Sequence, residues 1–344
     1  MWARAVDPWP LMLVTMRSVR SGRDAGAQLP LELVVVGFMG LVGLAAHLTG
    51  IAVVLFPELA ALSQDVLLRP RGEWARQPAH LILAPTITAV FGLFCARRLH
   101  YGVGAILLIV LFSLAVIRLL RCSVSPAISA GVLPLMLNEH SRLYPVAIFL
   151  DLSVLTAILM VRKRYAAVSQ AASGGEASGE EDRDAQILDA MERAPRGRYW
   201  LVALLGFVLA AGALAQITGL RFLLFPPLIV MGYELFGHPE VPGWMRRPVL
   251  LPVVCLITAG MGVAAERYLH PGFLAVMMTV LCSVGVLRLF DLHMPPALAI
   301  GMIPFVMEHP DARYAASVFC GSAALTLSYL GYQRGARRST RQAG

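Results

Sequence analysis

Residues 74–144 are restated at 244–314, displaced by 170 positions with almost no slippage. Trp74, Arg76, Pro78 and Leu81 return as Trp244, Arg246, Pro248 and Leu251. Ser113, Arg118 and Leu119 return as Ser283, Arg288 and Leu289, and Pro126-Ala127, Gly131 and Pro134 as Pro296-Ala297, Gly301 and Pro304. About a third of the aligned positions are identical, more than a shared apolar composition produces. Upstream the match continues with a one-residue slip. There Gly37-Phe38, Gly43 and Leu55-Phe56-Pro57 align with Gly206-Phe207, Gly212 and Leu224-Phe225-Pro226. The chain is a duplicated unit, and its fold must use that unit twice.

The kind of unit follows from apolar runs at 33–48, 81–95, 103–120, 147–160, 201–217, 249–265, 273–289 and 315–329. Most reach or approach the roughly 20 residues that span a bilayer's hydrocarbon core. Charged residues make up only 15% of the chain, against about a quarter in soluble domains. The expected fold class is therefore an all-α polytopic membrane protein, with the lipid bilayer as its surroundings. The net charge of +8 sits at the ends of apolar runs and in the termini, as the positive-inside rule requires. No basic stripe with interleaved aromatics exists, so no nucleic-acid partner is expected. Five cysteines without a CxxC pair indicate neither a metal site nor a disulfide framework, and no cofactor is expected. No HExxH, GxSxG, Walker or GxGxxG constellation stands in a credible context, so the chain is not expected to be an enzyme. Homo-oligomerisation is left open.

Five regions are expected. They are a basic tail (1–30), a first membrane repeat (31–161), a flexible linker (162–198), a second membrane repeat (199–333) and a basic tail (334–344). Arg4, Arg17, Arg20 and Arg23 flank a short apolar stretch at 11–16 that no small-residue cleavage site follows, which fits a tail better than a signal peptide. In the linker, Gly174 to Asp184 carries little that could bury apolar surface, and disorder is expected there. Ile187, Leu188 and Met191 outline a short amphipathic helix. Both tails and the linker are basic, which places them in the cytoplasm and makes the two repeats parallel, each crossing an even number of times. Arg97-Arg98 and Arg267 then fall outside, against the rule.

Each repeat is expected to hold about four full spans and two short segments broken by proline, half-helical or re-entrant. The short segments are 51–68 and 122–137 in the first repeat, and 221–236 and 292–307 in the second. Proline removes a backbone hydrogen bond. Broken backbone survives at membrane depth only where protein buries it or where it lines a cavity. Matching interruptions in both halves point to a transport site, or to simple kinks.

Arg118 and Arg288 are the first candidate solute ligands. A guanidinium near the bilayer faces a partner, a cavity or the interface, and its forked donors suit a small oxyanion. Snorkelling to the interface is the alternative, and Asp291 would help it in the second repeat. The second candidates are Ser125, Pro126 and Gly131, with His293, Pro295, Pro296 and Gly301. Small residues admit close backbone approach, a proline-led helix start aims amides at an anion, and His293 could couple protons. Capping or packing is its other reading, and its repeat counterpart is Ser123. Arg76 and Arg246 read as membrane anchors. Of the acids Glu58, Asp151, Glu234 and Glu266, only Asp151 falls well inside an expected span, and its counterpart is Gly321. A proton or cation relay would instead repeat its carboxylates inside the spans.

These motifs resemble those of the HPP family of integral membrane proteins, whose unit runs from a "PFGA"-like segment through "PLAQPR…GH" to a His-Pro-Pro-Ala signature. Phe225-Pro226-Pro227-Leu228, Met245-Arg246-Arg247-Pro248 and His293-Met294-Pro295-Pro296-Ala297 follow that order, with Phe56-Pro57, Arg76-Gln77-Pro78 and Ser125-Pro126-Ala127 in the first repeat. The resemblance implies a four-span unit in a membrane, here a bacterial inner membrane, and nitrite transport as known for plastid and cyanobacterial members. The expected function is a transporter or channel-like protein for a small solute, an anion such as nitrite. The alternative is a non-transporting membrane scaffold or assembly protein.

Overall fold

The structure is a computed structural model that describes residues 22–173, 179–193, 199–239, 247–269 and 272–342, together with Pro195 and Val241. Every regular element among them is helical. The first repeat carries α1 (Gly22–Thr49), α2 (Glu58–Leu68), α3 (Pro78–Arg98), α4 (Val103–Leu119), α5 (Pro126–Leu137) and α6 (Leu143–Ser173). A linker helix, α7 (Gly179–Glu192), follows. The second repeat carries α8 (Tyr199–Thr218), α9 (Pro226–Gly237), α10 (Leu250–Leu269), α11 (Phe273–Leu289), α12 (Pro296–Met302) and α13 (Ala312–Gln342). Among the described residues six helices (α1, α3, α6, α8, α10 and α13) are long and apolar enough to cross a membrane, which marks an integral membrane protein. Helices α4 and α11 have 17 residues each. At about 1.5 Å per residue they reach roughly 25 Å, somewhat less than a hydrocarbon core.

Two expectations need adjusting. Residues 179–184, expected to be disordered with the rest of 174–184, belong to α7, while 174–178 lie outside the described residues. Helix α1 starts at Gly22, ahead of the expected boundary at 31, and α13 runs on past 333. Arg4, Arg17 and Arg20, and Trp244, Arg246, His270 and Pro271, lie outside the described residues.

The prolines act as helix starts. Pro57 is the N-cap of α2, Pro126 and Pro226 open α5 and α9, and Pro295-Pro296 lead α12. A first-turn N–H has no intrahelical partner, so proline loses nothing there and its fixed φ suits the helix. Short 3-10 turns, Ala52–Val54 and Arg221–Leu224, bring the chain to α2 and α9. Both follow a glycine with positive φ, Gly50 and Gly219, which ends the preceding long helix.

Pro134 and Pro304 stand farther along, where a missing N–H does matter. They cannot donate to the carbonyls of Ala130 and Ile300, four residues back. The Tyr144 hydroxyl donates to Ala130 O at 2.7 Å and the Tyr314 hydroxyl to Ile300 O at 2.7 Å. The same solution thus appears twice, 170 residues apart.

Burial divides the helices into two classes. The long ones leave apolar side chains such as Leu41, Phe94, Phe149, Leu209 and Leu327 exposed, which is the face a bilayer covers. By contrast α2 and α5 are buried almost throughout, and every residue of α9 and α12 is buried. The short helices form the centre and pair across the repeats, α2 on α12 and α5 on α9. The long-helix contacts cross likewise, α1 against α11 and α4 against α8. Within each repeat a glycine pair lets backbones touch. A Cβ on Gly92 would stand 1.9 Å from Gly131 O, and one on Gly262 would stand 2.1 Å from Gly301 O.

Candidate functional site

A helix buried on all sides should be apolar. Helices α2, α5 and α9 break that rule, and their polar side chains share one region. On α2, Glu58 and Asp65 are spaced seven residues apart and therefore lie on one helix face, and Arg69 is the residue that caps the C-terminus of the helix. Glu58 is 2% exposed, Asp65 0% and Glu234 of α9 2%. Removing a carboxylate from water costs several kcal/mol unless it is paired and hydrogen-bonded. Such a group inside a membrane bundle is a functional-site hypothesis.

Asp65 and Glu234 reach across the repeats. Asp65 Oδ1 accepts from Arg69 Nε at 2.9 Å and lies 3.3 Å from His293 Nε2, just ahead of α12. Glu234 Oε1 accepts from the Ser125 hydroxyl, at the start of α5, at 2.6 Å. The two carboxylates are within Coulombic reach of one another. At the opposite, N-terminal end of α2, Glu58 accepts from the Ser129 hydroxyl of α5. Glu58 Oε2, Gln64 Oε1 and Asp65 Oδ2 are buried without a hydrogen-bond partner among the described residues.

At the Arg69 end the cluster meets the linker. The Arg69 guanidinium pairs with Glu192 and, at 3.5 Å, with Asp189. Asp189 also accepts from Arg76 Nη2 at 3.1 Å and from the Glu73 amide at 3.3 Å. Burial pushes the Glu192 carboxyl well above the usual carboxylate range; Asp65 adds to that and Arg69 opposes it. Around this end Trp74 Nε1 donates to Ser123 O at 2.9 Å, and Gln77 bonds the Ser123 hydroxyl at 3.3 Å. Lys163 of α6 donates to Ala75 O at 2.6 Å.

Of the sequence candidates, Ser125 and His293 fall in this cluster. Pro126, Pro295 and Pro296 are buried beside it as helix starts, and Gly131 and Gly301 are buried against α3 and α10. Arg118 and Arg288 stand elsewhere, in the last turns of α4 and α11, where a cation also suits the helix dipole. Those helices end alike on left-handed residues, Arg121 and Asp291. Arg118 is exposed, whereas Arg288 holds Glu32 of α1 through Nε at 3.0 Å and Nη2 at 2.6 Å. The residue that aligns with Glu32 is Leu201, so the first repeat lacks that acid. Arg76 pairs with Asp189, a contact the anchoring expectation did not include.

Sequence reasoning undervalued the acids. Asp65 was overlooked and Glu234 was set outside the spans, yet both are buried in the central helices. The signal was present, because the offset of 169 that aligns Pro57 with Pro226 also aligns Asp65 with Glu234. Among the described residues no group of three or more His, Cys, Asp or Glu is arranged to hold a metal ion. No family profile, curated protein or solved structure matches the chain.

Proposed function

We propose that this chain is an HPP-like membrane transporter built from two parallel repeats, moving a small anion such as nitrite together with protons along a path between the repeats. One observation carries the reading: repeat-equivalent carboxylates, Asp65 and Glu234, are buried on proline-led short helices and each is bonded to the other repeat. Carboxylates at such positions exchange protons, and Arg69 beside them supplies the fixed positive charge that an anion needs. Helices α4 and α11 complete four long helices per repeat around two short ones. On the positive-inside expectation both termini and the linker are cytoplasmic, and the Arg69 end, which holds the linker, shares that side. The Arg97 end is then external. Its guanidinium is bonded to the carbonyl of His140, which gives this charge a local role outside the rule.

Purified protein in liposomes with an internal pH dye tests the reading. Nitrite, nitrate, formate and bicarbonate are offered in turn. Uptake of at least one should exceed that of empty liposomes and acidify the lumen, and D65N and E234Q should each abolish it. A chain that moves none of these anions sinks the proposal. The backbone contacts of Gly92 with Gly131 and of Gly262 with Gly301 favour the second reading, a rigid scaffold that transports nothing. That scaffold would leave dye and anion unmoved while remaining folded.

A further inference from the structure

The linker ends in an arrangement that a tether does not require. Asp189 accepts hydrogen bonds from Arg76 Nη2 at 3.1 Å and the Glu73 amide at 3.3 Å, and Arg69 Nη1 stands 3.5 Å from it as an ion pair without a hydrogen bond. Glu192, one turn later, takes Arg69 Nη2. Met191 lies between them in sequence and is 2% exposed. The His238 ring nitrogen Nε2 is 2.9 Å from Arg193 O, beyond the end of α7, so the linker is clasped by α9 as well. The dock thus joins the ends of α2 and α9, the helices that bear Asp65 and Glu234.

The fit is incomplete in a specific way. Among the described residues, Arg69 Nη1 is buried without a hydrogen-bond partner, and so is Glu192 Oε2. A buried guanidinium nitrogen left without a hydrogen bond is costly, and a ligand with more oxygens in the right plane would satisfy it. The linker also adds two acids to a mouth where Asp65 and Glu234 already face Glu192; burial above all, and then these neighbouring acids, push the Glu192 carboxyl up.

We infer that Arg69, Arg76 and the Glu73 amide form an oxyanion-binding site at the mouth of the carboxylate cluster, and that Asp189 and Glu192 are tethered carboxylate ligands that fill it until an incoming oxyanion displaces them. The inference rests on the transport reading for its purpose, since the mouth would lead to the path. Its geometry stands apart from that reading. Arginine forks and a backbone amide suit planar or tetrahedral oxyanions, whether free in solution or on a lipid headgroup.

The test reads linker docking without any transport. Met191→Cys is introduced into the full chain with Cys282 and Cys320 replaced by serine, and its modification by a water-soluble maleimide is timed in mild detergent. Docked, the new thiol should react slowly. D189N should raise the rate at least tenfold. R76D and D189R should each raise it, and combining them should restore much of the protection. Sodium nitrite, inorganic phosphate and phosphatidylglycerol micelles form three further arms, each against chloride or phosphatidylcholine at matched ionic strength. At least one should speed modification, and R69Q should remove that anion effect. Faster reaction with the ions assigns the site to free oxyanions, and with the lipid alone to headgroups. A rate within twofold of the parent in D189N overturns the linker's role, and no response to any of the three anions overturns the site. A chain that carries no solute in liposomes can still pass this test.

Discussion

Tyr144 and Pro134 should be energetically coupled. Pro134 deprives the Ala130 carbonyl of its helical N–H donor, and the Tyr144 hydroxyl supplies a replacement at 2.7 Å. Both residues are fully or almost fully buried, so water cannot take over. Tyr144→Phe keeps the ring and deletes only the donor, leaving a buried acceptor unsatisfied at a cost of about 1–3 kcal/mol. At about 2–4 °C per kcal/mol, the middle of that range lowers the apparent melting point by roughly 4–8 °C. Pro134→Ala returns an N–H at the position that can reach Ala130 O, so Tyr144→Phe in that background should cost less than half as much. A thiol-reactive dye provides the assay, because Cys95, Cys122 and Cys255 are buried and become available on unfolding. Heating in detergent is irreversible for many membrane proteins, so all four chains are compared at one scan rate. Equal losses from Tyr144→Phe in the proline and alanine backgrounds would refute the argument.

The same assay carries three further expectations. Gly92→Ala would force its Cβ to 1.9 Å from Gly131 O, a backbone atom that cannot turn aside, and should cost 3 kcal/mol or more, on the order of the largest overpacking penalties. Gly37→Ala, with open space around it, should be neutral or gain up to about 1 kcal/mol from helix propensity; equal melting of the two variants would count against the close approach. Arg288→Ala removes two charged hydrogen bonds from Glu32 and should cost about 1–3 kcal/mol, whereas Arg118→Ala, on an exposed side chain, should stay within about 0.5 kcal/mol. The reverse order would contradict their assignment. Docking of α7 should also depend on pH. Its carboxyl Glu192 faces Asp65 and Arg69 of the α2 end, Glu234 of α9 and its own neighbour Asp189, and its proton affinity is raised when docked. A raised docked value means that docking takes up a proton. Its stabilisation is therefore complete below the ordinary carboxylate range and declines as pH rises through the docked value. Protection of Met191→Cys, corrected for intrinsic thiol reactivity, should weaken from pH 5 to pH 8, and E192Q should flatten that dependence.

Much of the architecture could be read along the chain because its causes are local. Apolar runs near the span length announce helices for a bilayer, and prolines at matching positions announce the short segments. What a proline does depends on where the helix begins. Pro57, Pro126 and Pro226 read as interruptions and act as starts, while Pro134 and Pro304 sit where only a distant tyrosine can mend the loss. The candidate site was half legible. Ser125 and His293 were visible through their motifs. Asp65 and Arg69 went unremarked, because burial of α2 comes from neighbours far away in sequence. Arg288 was conspicuous as a cation near the bilayer with Asp291 beside it, yet its partner Glu32 lies on a helix of the other repeat.

The sequence by itself determined the class of the molecule and the places where proline starts or breaks a helix, since hydropathy, periodicity and proline stereochemistry act within one turn or one span. Tertiary structure alone decided which repeat each short helix packs against, and so which residues meet. Asp65 finds His293, Glu234 finds Ser125, and Arg69 finds the linker, over separations of more than a hundred residues. Charge in a low-dielectric interior is governed by what surrounds it in space. For that reason the buried carboxylates, and the linker carboxylates docked over them, emerge only when the two repeats are interlocked.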